Sequence, residues 1–201
     1  MLSLFPISPG LATSLAACLL AILLGAAIVR DVRTHRIPNR LVLFGFVGAM
    51  VLSAVAPYGE GYFAASHAGG PGMTGALLGA ATGFGAFLPL YLFRAMGAGD
   101  VKLMAMTGAF LAPYGAAEAA LLTLAFGGFI SVLVAAWNGV LKHAVANVRF
   151  MLTDALVRSV GARTAAIEPA LSSAGKVPYA IAIGAGTAAH VALCRMQYQI
   201  F

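Results

Sequence analysis

Six long apolar runs constrain this chain more than anything else in it, covering residues 11–29, 37–56, 73–93, 101–112, 116–140 and 178–194. A transmembrane helix needs roughly 20 mostly apolar residues, and all six approach that length. The 201 residues are 61% hydrophobic and 9% charged, whereas a soluble domain carries about 25% charge. The expectation is therefore an all-α, polytopic membrane protein with six transmembrane helices and one domain over residues 1–201. Cys18 and Cys194 fall inside apolar runs without a CxxC partner, so they read as packing residues. Met1–Gly10 has no Lys or Arg, unlike the basic start of a signal peptide.

The basic residues set an orientation. With six crossings, Arg30, Arg33, Arg36, Arg40, Arg94, Lys102, Lys142, Arg149, Arg158, Arg163 and Lys176 share one side, and only Arg195 falls on the other. Cytoplasmic loops carry the excess of Lys and Arg, so both termini are expected outside the cytoplasm. The net charge of +6 then reflects orientation and attraction to anionic lipid, not nucleic-acid binding. The segment 141–177 repeats Leu141, Val145, Val148, Leu152, Leu156 and Val160 at helical spacing, which predicts an interfacial helix on the cytoplasmic face. Gly79, Gly83, Gly85, Gly127 and Gly128 read as close helix contacts, since small residues let backbones approach in lipid.

Against this background two of only six acidic residues, Asp31 and Asp100, stand where an apolar run meets a basic loop. A carboxylate beside hydrocarbon is costly unless paired, protonated or open to water, and so marks a candidate functional site. Asp31 opens the string Asp31-Val-Arg-Thr-His-Arg-Ile-Pro-Asn39, and Asp100 lies in Gly97-Ala-Gly-Asp-Val-Lys102. Gly97 and Gly99 permit positive φ and close backbone approach. Pro38 and Asn39 read as the start of the second span, Pro fixing the turn and Asn capping. The charge pattern puts both aspartates on the cytoplasmic side. Each could also be a border carboxylate neutralised by a neighbouring Arg or Lys.

Together the two strings resemble the type IV prepilin peptidases, GxGD aspartyl proteases, over nearly the whole chain. Lys176-Val-Pro-Tyr-Ala180 is similar to that family's late proline motif. The resemblance implies the short, peptidase-only form associated with Flp-type, tight-adherence pili, because the paired CxxC region of longer members has no counterpart here. It implies Asp31 and Asp100 as the catalytic dyad of an inner-membrane endopeptidase that removes cytoplasmic leaders from prepilins and pseudopilins. No cofactor or metal is required. Lys102 could tune the dyad, contact substrate or anchor its helix by snorkelling, while Arg33 and Arg36 set topology with lipid or leader contact behind. A proton-coupled carrier or channel using the aspartates as a relay is the alternative. The four histidines, His35, His67, His143 and His190, are scattered and compose no shared metal site. The particular prepilin and the oligomeric state are not encoded in these patterns.

Overall fold

A computed structural model describes residues 8–63, 69–93, 95–137, 139, 153 and 179–200. The chain divides into two compact units, Met1–Gly127 with Pro178–Phe201, and Gly128–Val177. The expected interfacial helix at 141–177 lies outside the described residues apart from Thr153.

Among the described residues five helices follow one another: α1 (Pro9–Thr34), α2 (Asn39–Val55), α3 (Gly72–Leu92), α4 (Ala98–Trp137) and α5 (Tyr179–Ile200). Ser8 caps α1, its hydroxyl accepting from the Leu11 amide at 3.3 Å, and Pro9 occupies the first turn. The helix does not stop at residue 29. It continues to His35, which takes left-handed φ/ψ of 48° and 34° and donates its amide to the Asp31 carbonyl at 2.8 Å. Histidine is among the residues enriched in that conformation.

Small residues take many of the inward positions beside large buried ones such as Phe87 and Phe110, as expected where backbones approach closely in lipid. Ala12, Ala16 and Ala27 on α1, Gly45 and Ala49 on α2, and Ala76, Gly79, Ala80 and Gly83 on α3 are buried. Ile22, Phe44, Val51 and Leu78 face outward. At Gly79 and Gly83 a Cβ would collide with the carbonyls of Gly108 and Met104 respectively. The rising and falling numbers show that α3 and the first part of α4 lie antiparallel, backbone against backbone. Among the described residues Gly85 and Gly128, in contrast, have no atom within 4 Å of where a Cβ would stand. The loop before α3 is closed by amide bonds from Gly59 to Gly70 and from Gly70 to Pro57, over a fully buried Tyr62 whose hydroxyl meets Ser53 Oγ at 3.3 Å.

The fourth and fifth expected spans are the two limbs of α4. At Ala112 φ and ψ are 62° and 174°, outside the helical region, and Pro113 follows. A Cβ at Gly108 would sit 3.2 Å from that of Ala116, although eight residues of straight helix span about 12 Å. The chain therefore folds back at Ala112. Limb 98–111 is short of the ~30 Å hydrocarbon core at ~1.5 Å per residue. Counting α4 through its bend, four helices among the described residues have the length and apolarity to cross a membrane, and Asn39–Val55 is a shorter apolar helix. The described residues are otherwise without named strands; Tyr58 and Gly70 form an isolated bridge.

Candidate active site

Asp31 faces inward because it continues the buried stripe of its helix. Ala12, Ala16, Leu20, Leu23, Leu24, Ala27 and Asp31 are the buried residues of α1, the three-and-four spacing of one helix face. Only 7% of Asp31 is exposed. A carboxylate so buried needs partners, and α5 supplies one: the Ala180 amide donates to Asp31 Oδ2 at 3.1 Å. That amide belongs to the first turn of α5, where N–H groups lack intrahelical acceptors and the helix end carries partial positive charge.

Asp100 enters from α4. Gly97 precedes the helix, and Asp100 reaches back from its first turn, Oδ2 accepting the Gly97 amide at 3.3 Å while the Asp100 amide donates to the Gly97 carbonyl at 3.2 Å. This is the acidic half of a capping box. It occupies one carboxyl oxygen. Asp100 and Asp31 lie within electrostatic reach of each other, and Tyr179 lies within reach of Asp100. Among the described residues neither aspartate has a Lys or Arg at ion-pair distance.

The two motifs interlock side chain by side chain. Lys102 Nζ donates to Asn39 Oδ1 at 3.1 Å across 63 residues of sequence. One step away, a Cβ on Gly99 would stand 3.4 Å from Ile37 Cβ. Two sequence expectations change here. Asn39 is the first residue of α2 and not its cap; Pro38 holds the cap position without a side-chain bond, its carbonyl accepting from Leu41 and Val42 at 3.1 and 3.4 Å. The Asn39 side chain is engaged by Lys102 instead. Likewise neither Gly97 nor Gly99 has positive φ, so the use of glycine at 99 is close approach to Ile37.

Arg33 and Arg36 are exposed and are not drawn to the carboxylates. Thr34 rather than either arginine organises the turn, its hydroxyl donating to the Arg30 carbonyl at 2.8 Å. Beside Lys102 and Asn39 a cavity of about 420 Å³ opens between α2, α3 and α4, walled by Leu43, Phe46, Phe84 and Met106. Tyr179 stands beside Ala180 and packs over Gly127, where a Cβ would overlap its phenol ring. The only sequence sign of these α5 contacts was the string ending at Ala180.

The geometry thus brings a buried carboxylate within electrostatic reach of a second carboxyl from a capped helix start, while the apolar recess shares Asn39 and Lys102 with the two motifs and is lined by neither aspartate. No curated protein and no solved structure matched the chain. The model of the type IV leader peptidase family matches residues 18–136, more than half of the chain and both aspartate motifs with it, and the chain belongs to that family.

Proposed function

We propose that the chain is an aspartyl endopeptidase of the bacterial inner membrane that removes cytoplasmic leaders from Flp-type prepilins and pseudopilins. Asp31 and Asp100 are its catalytic pair, and residues 1–201 work as one peptidase domain. The observation that carries this reading is that the two motif carboxyls lie within electrostatic reach of each other, with Ile37 against Gly99 and Lys102 bonded to Asn39 tying their strings together.

Two carboxyl groups held close in a poorly solvated site share a proton more readily than they both ionise. The ionised member takes a proton from water as that water attacks the scissile carbonyl. The protonated member donates to the carbonyl oxygen. The pair acts as a unit, so neither role is assigned to one residue. Lys102 and Asn39 hold the strings in register, and Gly97 fixes the direction of Asp100 through its amide.

The recess beside Lys102 suits the substrate's apolar helix, with Asn39, Arg40 and Lys102 at its rim. A prepilin whose leader is cytoplasmic and whose helix lies in the bilayer brings its cleavage site to the depth of both aspartates. In this orientation both termini lie outside the cytoplasm, as the eleven-to-one distribution of Lys and Arg supports. Family resemblance puts the cut after a Gly at the leader's end.

Purified protein in detergent, mixed with a prepilin, tests the proposal by mass spectrometry of the products. Cleavage at the leader boundary is expected. An intact prepilin alongside proton-coupled uptake in liposomes would instead favour a carrier.

A further inference from the structure

A second constellation of reactive side chains lies well away from the aspartates. His190 is about 15 Å along α5 from Ala180 at ~1.5 Å per residue, and is 5% exposed. Its Nδ1 meets Glu118 Oε2 at 3.1 Å, and its two ring nitrogens lie 3.9 and 3.7 Å from Cys194 Sγ. Glu118 comes from the second limb of α4, whereas His190 and Cys194 share one face of α5 at a spacing of four. Gly115 makes the approach possible, since a Cβ there would stand 2.9 Å from His190 Nε2. One ligand atom from each of the three residues falls within 4.8 Å of the others.

From this geometry we infer a binding site for a zinc-like divalent cation, made by Glu118, His190 and Cys194. Carboxylate, imidazole and thiolate are all zinc ligands, with bonds of about 2.0–2.3 Å, so a tetrahedral site sets its donor atoms about 3.3–3.8 Å apart. The His190–Glu118 and His190–Cys194 separations are already near that range. Glu118, with a side chain 66% exposed, can rotate to close the third. The mixture of sulfur and nitrogen donors selects against magnesium and calcium, which take oxygen ligands. On binding, the Sγ–H bond of Cys194 gives up its proton to solvent, sulfur takes the cation in its place, and neutral His190 contributes a ring lone pair. The fourth position is left for water. The bound ion ties the second limb of α4 to α5, and the Asp31–Ala180 end of α5 lies two to three turns away.

Metal-free purified full-length protein, with any affinity tag removed, would be titrated with cobalt(II) and then zinc. The expected result is one cobalt per chain, with the visible bands of a tetrahedral site and a thiolate charge-transfer band, both displaced by zinc. Cys194→Ser should abolish the charge-transfer band. Glu118→Gln, at an exposed position, should weaken binding by at least the roughly tenfold that losing even an outer partner costs, with the elution profile of the folded protein unchanged. Cys18→Ser should leave the spectrum intact. Absence of a tetrahedral spectrum, or one that survives Cys194→Ser or disappears with Cys18→Ser, overturns the inference. None of these readouts depends on peptidase activity.

Discussion

Replacing Asp31 by Asn and by Ala should separate what this residue does for the fold from what it does for the reaction. Asp31 Oδ2 is the acceptor for the Ala180 amide, and Ala180 is fully buried, so water cannot take over that bond. In Asp31→Ala the amide is left unsatisfied, a loss of about 1–3 kcal/mol. Asp31→Asn keeps a side-chain oxygen in place to accept the amide, so the bond is weakened but not lost, a cost of no more than about 1 kcal/mol. Asn should therefore be the milder change, by about 1–2 kcal/mol at the upper end of these ranges. Unfolding midpoints in detergent, followed by circular dichroism, give the stability order. Hydrogen exchange at the Ala180 amide shows whether the first turn of α5 is released in Asp31→Ala and held in Asp31→Asn. If both variants unfold alike and the amide exchanges equally in both, Asp31 does not anchor α5 and the account of its burial is wrong.

Further consequences can be read from the packing. Gly99→Ala places its Cβ at ordinary contact with Ile37 and should cleave near normally, whereas Gly99→Val must push Ile37 aside and should lose cleavage per unit of inserted protein; an equal effect of Ala80→Val would show general misfolding. Gly108→Val forces branches into the Gly79 carbonyl, and should lower the yield of folded protein by more than the about 1–3 kcal/mol of ordinary overpacking, as thermal unfolding of the membrane-extracted protein would show. Lys102→Met and Asn39→Ala should couple in a double-mutant cycle of cleavage, the pair costing little more than either alone; additive losses would mean that the Lys102–Asn39 bond is not what holds the motifs together. Reporter fusions at Gly70 and Ser159 should report opposite sides of the membrane, and a shared side would remove support for a cytoplasmic site.

Both aspartates were legible in the sequence because each breaks a hydrophobic pattern, and Asp31 also continues the buried stripe from Ala12 to Ala27. Pro113 likewise marked the division between the limbs of α4, since proline lacks the amide a continuing helix needs. The fold-back angle was not legible: it rests on Ala112, a residue with no intrinsic preference for positive φ, held there by the packing of Gly108 against Gly79. Contacts across long sequence separations were equally hidden. Lys102 reads from sequence as an anchor or tuning charge until Asn39 is seen to accept from it, and Asn39 reads as a cap for the same reason. His190 looked isolated because its partner Glu118 belongs to another helix. Cys194, four residues on, gave the only local signal.

The central claim is tested most directly by the cleavage rate of one prepilin in liposomes containing wild-type protein, Asp31→Asn, Asp100→Asn or both changes together. Asn at position 100 can still accept the Gly97 amide, so the helix start is retained while the shared proton is lost. The account predicts leader removal by wild type and the same background in all three variants, because two residues acting as one unit are not additive. Substantial maturation by either single variant, with the protein folded and inserted, would contradict it.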